Sequence, residues 1–257
     1  EGLRFAHNYI RNKDKHLDKV VLDFSGGLDT SYCVIYLKEQ GYEVTTVTVD
    51  TGGFSNDEKK KISAKAFLLG AKSHHLIDSR TKLYDQFVCY IMKGNILKGG
   101  VYPLCAGTER LVIVQELVKI AKKIGAKYIA HGSTSAGNDQ IRFDLALKIL
   151  APGIKVLTPV RDLGIRREDE LKLLQQYDLS FPINSSQYSI NQGMLGVTVG
   201  GKETKGSWEA PPEDIYPGIA PLNKTPDEFK EEIISFEKGL PVAINNKKMS
   251  GVEIFEY

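Results

Sequence analysis

Cysteine is scarce in this chain of 257 residues, with three standing at Cys33, Cys89 and Cys105. An odd number without C-x-x-C spacing argues against a disulfide framework or a zinc ribbon, and favours a reducing compartment, the cytoplasm by default. An excess of charge of one sign is also lacking: 34 Lys and Arg stand against 32 Asp and Glu, for a net charge of +2. No basic run is long enough to argue for nucleic acid or a membrane surface, which leaves small acidic molecules as the open class of partner. No apolar run approaches the ~18 residues of a spanning helix. The charged amino end (Arg4, Arg11, Lys13, Lys15, Lys19) has no apolar stretch of the kind a secretory signal carries. Two nucleotide signatures are absent: G-x-G-x-x-G and G-x-x-x-x-G-K-[ST], which disfavours a dinucleotide cofactor or a Walker-type NTPase. His74 and His75 have no Cys or His partner at ligand spacing, so they read as core or surface residues of a short buried strand, and no protein metal site is expected.

What is present begins with apolar content. At 42% hydrophobic, the chain can bury a sizeable core. Short β-branched runs at 19–24, 43–49, 73–77, 127–130 and 154–158 alternate with helical patterns at 31–40, 57–69, 81–93, 109–124 and 165–177. Gly41, Gly70 and Gly125 fall where helices should stop. The alternation predicts an α/β fold, a Rossmann-like parallel sheet with helices on both faces. The texture changes near residue 178. Ser, Asn, Gln and Gly dominate a loop-like 184–207, prolines punctuate 211–226, and 229–246 reads as a strand, a turn at Gly239-Leu240 and a strand, before a helix that includes Val252, Ile254 and Phe255. The expected organisation is a lead-in (1–17), a nucleotide-binding domain (18–178) and a partial α+β second domain (179–257).

One stretch organises the rest. The apolar strand Val20-Val21-Leu22 runs into Ser25-Gly26-Gly27-Leu28-Asp29-Thr30-Ser31 and then a helix. Adjacent glycines let the backbone turn tightly against an anion, and the first N–H groups of the helix have no partner within it. Ser25, Thr30 and Ser31 add hydroxyl donors. The plainer reading is an ordinary strand-to-helix turn, since Ser, Gly and Asp also cap helices.

A second constellation, His131 to Asp144, follows the strand Tyr128-Ile129-Ala130. Thr134, Asn138, Asp139 and Arg142 offer a hydroxyl, an amide, a carboxylate and a guanidinium fork. That set suits a zwitterionic amino acid, with Arg142 against its carboxylate and Asp139 against its ammonium, or else a loop whose polar residues satisfy their own backbone. Tyr102 to Arg110 reads as a loop made by Pro103 and Gly107, with Thr108 a candidate N-cap and Arg110 a candidate anion partner. Asp50 ends the second strand, where dinucleotide folds place a ribose-binding acid. Tyr188-Ser189 and Thr198 are hydroxyls in the polar part of the second module.

Taken together, these stretches resemble a known family. Ser25 to Ser31 resembles the pyrophosphate loop of the N-type ATP pyrophosphatases, and Gly137-Asn138-Asp139-Gln140-Ile141-Arg142-Phe143 is similar to the argininosuccinate synthases in particular. Tyr102-Pro103-Leu104, Ala151-Pro152 and Tyr188-Ser189-Ile190 recur in the same order, so the resemblance covers about residues 19 to 250. It implies an ATP-dependent ligase joining citrulline and aspartate through citrullyl-AMP, with Mg²⁺ accompanying ATP. Carried over residue by residue, Asp23, Phe24, Ser25, Gly26, Gly27, Leu28, Asp29, Thr30, Ser31 and Gly132 would bind ATP, and Val49 would touch adenosine through its backbone. Asp29 and Ser25 would be the catalytic members. Thr134, Asn138 and Asp139 would hold aspartate, while Tyr102, Gly107, Asn138, Arg142, Ser189 and Thr198 would hold citrulline.

The departures fall in the acceptor pocket. Gly107 stands where the family often has a serine, Thr198 replaces another serine, and Asn191-Gln192-Gly193 differs from the family's acidic-Glu-Asn run. The family also continues for well over a hundred residues past this end, supplying further citrulline contacts and an arm for a homotetramer. The alternatives are a tRNA-modifying sulfur transferase using the same loop, and a nucleotide-binding remnant without turnover.

Overall fold

The computed structural model describes residues 17–135, 137–177, 179, 188–206 and 208–257. They form two compact units. The first gathers the described residues of Glu1–Val49, Ser55–Ile77 and Ile113–Ser185, and the second those of Asp50–Phe54, Asp78–Val112 and Ser186–Tyr257.

The first unit is built on five strands: β1 (Lys19–Asp23), β2 (Glu43–Asp50), β3 (Ser73–Asp78), β4 (Tyr128–Ala130) and β5 (Lys155–Leu157), in the order β3-β2-β1-β4-β5. β1 runs parallel to β2 and to β4, and β4 runs parallel to β5. Val20, Val21 and Leu22 are fully buried, the mark of a central strand covered on both faces. Helices α1 (Leu28–Glu39) and α2 (Asn56–Leu68) connect strands to one side of β1. The later crossovers move to the other side, so right-handed connection puts their helices on the opposite face. The strand order therefore reverses between β1 and β4, at whose carboxyl ends ligands of such sheets gather. β3 is an edge strand, and this revises the expected buried strand: its residues are half-buried or exposed, with His74 Nδ1 bonded to Thr46 Oγ1 at 3.0 Å.

The helix α3 (Arg80–Leu83) passes through a π-turn, Tyr84–Val88, into α4 (Cys89–Gly94). Helix α5 (Cys105–Ile124) begins four residues before its expected start, so Gly107 and Thr108 are helical. Thr108 is no N-cap; its hydroxyl bonds back to Leu104 O at 3.4 Å. Helix α6 (Asp139–Leu150) is one the sequence pattern did not place, and it takes in the last part of the His131 to Asp144 constellation. Two further helices, α7 (Pro159–Leu163) and α8 (Arg167–Gln175), follow β5 and pack on α1.

In the second unit the polar 184–207 stretch holds a hairpin, β6 (Tyr188–Gly193) and β7 (Gly196–Gly201), paired antiparallel with Asn191 opposite Thr198. No apolar alternation announces it, because its strands are held by backbone pairing and by close glycine packing. A Cβ on Gly193 would lie 1.9 Å from Glu109 Oε1, and one on Gly53 would lie 2.1 Å from Gln192 O. A three-stranded antiparallel sheet follows, from β8 (Ile234–Glu237), β9 (Leu240–Ile244) and β10 (Lys247–Lys248), with the chain turning at Lys238-Gly239. Helix α9 (Gly251–Glu256) opens with a capping box from Ser250 and Glu253, and its Phe255 meets Tyr84 edge-on at 6.2 Å.

Candidate nucleotide-binding site

The loop between β1 and α1 is shaped by its two glycines. Gly26 sits at φ +74°, a conformation that a side chain disfavours, and a Cβ there would lie 2.9 Å from Ile62 Cγ1 on α2. Gly27 occupies the N-cap of α1 in extended backbone and has no side chain with which to cap. The first intrahelical bond runs from Ser31 N to Gly27 O, 3.0 Å. The N–H groups of Leu28, Asp29 and Thr30 therefore open the helix without an intrahelical acceptor, and the macrodipole adds its positive end there. Helix α1 starts three residues before the expected 31, which turns half of the loop motif into a helix terminus.

Hydroxyls stiffen the turn. Ser25 Oγ accepts from Gly27 N at 3.3 Å and lies 3.2 Å from Thr30 Oγ1, which donates to Gly27 O at 3.4 Å. The Ser31 side chain is fully buried beneath the turn. Phe24 is likewise fully buried; its N–H donates to Val47 O and its carbonyl accepts from the Thr48 hydroxyl. Asp23 closes β1, and Val49, 5% exposed, lies near the carboxyl end of β2.

Gly132, just past β4, meets the start of α1. A Cβ on it would stand 3.0 Å from Thr30 Cγ2 and 3.2 Å from Thr30 N. Two distant motifs of the sequence thus converge on one helix terminus. Behind Gly132, His131 is fully buried, stacked on Phe143 at 4.9 Å, with Nε2 3.2 Å from Asp144 Oδ1 and Nδ1 accepting from Ser133 N at 3.4 Å. Burial pushes the imidazole down, against the upward pull of Asp144, so it is neutral near pH 7. Burial acts to raise the Asp144 carboxyl, but hydrogen bonds from Arg161 (2.6 Å) and His131 outweigh it and hold the group low.

Asn138 stands at the N-cap of α6, where its side chain makes no capping bond, and Asp139 lies in the first turn. Arg142 Nη1 donates to Asp139 Oδ1 at 2.7 Å. Thr134 is half-buried in the loop before them. The four residues expected to meet amino-acid substrates thus lie in and just before the first turn of one helix.

The other acceptor candidates belong to the second unit. Tyr102 OH accepts from Ala106 N at 3.2 Å at the start of α5. In the hairpin, Ser189, Asn191 and Thr198 share a face, because Asn191 pairs with Thr198 and Ser189 lies two residues away. Arg110, a candidate anion partner, is buried and donates to Asn191 Oδ1 at 2.6 Å. Asp50 is also buried and accepts from Gly52 N at 2.9 Å, the work of a turn residue rather than a ribose ligand.

Two residues escaped the sequence reading. Lys65, on α2, donates to Gly26 O at 2.8 Å, and burial lowers its pKa. Glu170, on α8, is fully buried beside Asp29. Nothing in the pattern of either helix marks them, since a lone charge on an amphipathic helix reads as solvated.

A parallel sheet whose order reverses beside a glycine-turned, uncapped helix defines a doubly wound α/β domain. Residues 19–180 match the model described as "Arginosuccinate synthase N-terminal HUP domain", and residues 188–257 match that of the "Arginosuccinate synthase C-terminal domain". The chain belongs to the argininosuccinate synthase family. It is similar to the argininosuccinate synthase of Sulfurisphaera tokodaii (41% identity over 93% of this chain and 60% of the relative). The corresponding enzymes of Oenococcus oeni (37%, 93% and 59%) and Pyrococcus furiosus (38%, 92% and 57%) are also similar. The chain thus spans three-fifths or less of the length of these relatives. A 4-thiouridine synthetase solved with RNA and bound ATP has a TM-score of 0.50 at 15% identity, covering 62% of this chain and 40% of its own, a likeness of fold alone.

Proposed function

We propose that this chain carries the ATP-binding and aspartate-binding part of a ligase that joins citrulline to aspartate. The observation that supports it most is the convergence of Gly132 on the open N-terminus of α1, with Asn138, Asp139 and Arg142 following on the next helix. In this reading the ureido oxygen of citrulline attacks the α-phosphate of ATP. The bond to the β-phosphate breaks, and pyrophosphate leaves with the electron pair toward Ser25–Ser31. The aspartate amine then attacks the activated ureido carbon, AMP departs, and the nitrogen gives up its proton. The N–H groups of Leu28, Asp29 and Thr30 and the hydroxyls of Ser25 and Thr30 would meet the charge on the leaving pyrophosphate. Rate enhancement then comes from positioning and electrostatics, with no protein nucleophile.

Among the described residues no group of three or more His, Cys, Asp or Glu is placed to hold a metal. Mg²⁺ suits that setting as part of the Mg-ATP substrate, carried by phosphate oxygens and water. The sulfur-transferase alternative calls for a persulfide-carrying cysteine near the loop and a basic face, against which the net charge of +2 speaks; two of the three cysteines have described side chains. Cys33 is fully buried, and burial pushes its thiol far up, while Cys89 donates to Asp85 O at 3.2 Å.

The reading places the enzyme in the cytoplasm with small-molecule substrates, and takes an intact chain to be a homo-oligomer, a tetramer as in the family. Among the described residues no helix is long and apolar enough to cross a membrane. The test is ATP–pyrophosphate exchange by the chain extended to the full length of its relatives. Exchange that requires citrulline supports the reading. Aspartate and ATP binding without citrulline-dependent exchange sinks the acceptor assignment.

A further inference from the structure

Asp29 in the first turn of α1 and Glu170 in the first turn of α8 present carboxyl groups to each other where these helices pack. Glu170 is fully buried, and neither of its oxygens, nor Asp29 Oδ1, has a hydrogen-bond partner among the described residues when both groups are taken as carboxylates. Two ionised carboxylates can only accept, so side by side and out of water each leaves the other unsatisfied. One hydrogen resolves both deficits.

We propose that Glu170 is held as the neutral acid and donates its hydrogen to the Asp29 carboxylate, making it the residue that positions Asp29 at the mouth of the anion loop. The inference rests on the assignment of Ser25–Ser31 as the nucleotide loop. Glu170 is a positioning residue, acting through Asp29 and touching no substrate.

The surroundings fit a neutral Glu170. Burial raises its pKa first and the charge of Asp29 next, to about 8, while Arg167 on the same helix pulls the other way. On α1, Tyr32 and Cys33 face the same carboxyl; both are raised chiefly by their own burial, with Glu170 adding to it. The proton has a functional consequence. With Glu170 neutral, Asp29 brings a single negative charge to a helix terminus that must accept a polyanion. With Glu170 ionised, two charges crowd that terminus and oppose the phosphates.

The sign with pH follows. The unfolded chain loses this proton near the ordinary carboxyl value of 4.5, whereas the folded chain keeps it to about 8. The stability this group contributes is thus full in acid and is lost progressively as pH rises across that window. Glu170→Gln keeps the size and a donor but cannot ionise, and Glu170→Leu keeps bulk without a donor. Two measurements on the same chain decide: thermal midpoint from about pH 5 to about pH 9, and calorimetric titration with ATP at about pH 7 and about pH 9. The midpoint of Glu170→Gln should rise relative to the parent as pH increases. Parent ATP affinity should fall about threefold or more between the two pH values while that of Glu170→Gln holds, and Glu170→Leu should bind ATP weakly at both. Parallel stability curves, or a folded Glu170→Gln that no longer binds ATP near neutrality, would overturn the proposal. Absence of citrulline-dependent exchange with these results intact would count against the ligase reading alone.

Discussion

Arg142 Nη1 lies 2.7 Å from Asp139 Oδ1, one turn along α6, with both side chains about 30% exposed. Two groups that could meet opposite ends of an amino-acid substrate hold one another. An i, i+3 pair at this exposure stabilises the helix by only about 0.3–0.5 kcal/mol, so a substrate carboxylate and ammonium can displace it readily. Arg142→Lys keeps the charge and loses the planar fork. It should impair amino-acid use by about 1–3 kcal/mol, read as kcat/KM for citrulline and aspartate in steady-state assays. Unaltered dependence on both substrates would mark a structural arginine.

Asp29→Asn should reduce kcat/KM for ATP about tenfold or more while moving the thermal midpoint little. The amide can also donate to Glu170, so the variant should shed the parent's loss of ATP affinity above neutrality. An unchanged ATP dependence would remove Asp29 from the site.

Gly132→Ala places a methyl 3.0 Å from Thr30 Cγ2 and 3.2 Å from Thr30 N. The start of α1 must move by a few tenths of an ångström. ATP affinity measured by calorimetry should fall, with a stability loss of about 1–3 kcal/mol in urea unfolding. A variant that binds ATP like the parent would show that this approach is incidental.

Gly107→Ser should be tolerated, because nothing lies within 4 Å of a Cβ there and the residue is helical. Replacing a helical glycine stabilises by about 0.5 kcal/mol. If the neighbouring Tyr102 serves citrulline, the added hydroxyl should also lower KM for citrulline. A stabilised variant with unchanged KM would separate Gly107 from that pocket.

His131→Gln tests the buried imidazole. The folded His131 titrates below the ordinary 6.5 because burial disfavours its charged form, so the unfolded chain takes up a proton first as pH falls. Its contribution to stability is present above about pH 6.5 and is lost as pH falls through the folded value. Thermal midpoints between about pH 7 and about pH 5 should drop less in the variant than in the parent. This slope is opposite in sign to that of Glu170, so each substitution identifies its own limb of the curve.

The sheet was legible because Val20, Val21 and Leu22 are buried on both faces, and uninterrupted β-branched runs say so. The anion loop was legible because Gly26 carries a backbone requirement, φ +74°, that favours glycine, and Gly27 adjoins it at the start of the helix. Helix α6 was hidden by its own composition: Gly137-Asn138-Asp139 reads as turn chemistry, and the exposed Ile141, Leu145 and Ile149 give no clean polar face. The hairpin Tyr188–Gly201 was hidden because its strands are glycine-rich and polar, and what fixes them is a contact at Gly193 that no local pattern encodes. The Asp29–Glu170 pair joins residues far apart in the chain, and a carboxyl on a polar helix reads as solvated until the packing of α8 on α1 is known.

A helix that opens on a glycine lacks a capping side chain, at a cost of only about a few tenths of a kcal/mol, and leaves its first N–H groups without a side-chain acceptor. The phosphate oxygens of a bound nucleotide would supply the acceptors that Gly27 does not, so the ligand acts as a removable cap and completes the first turn of α1. The amide hydrogens of Leu28, Asp29 and Thr30 should then exchange freely in the empty protein and slowly in the loaded one. Site occupancy would be readable from the fold itself, without any turnover.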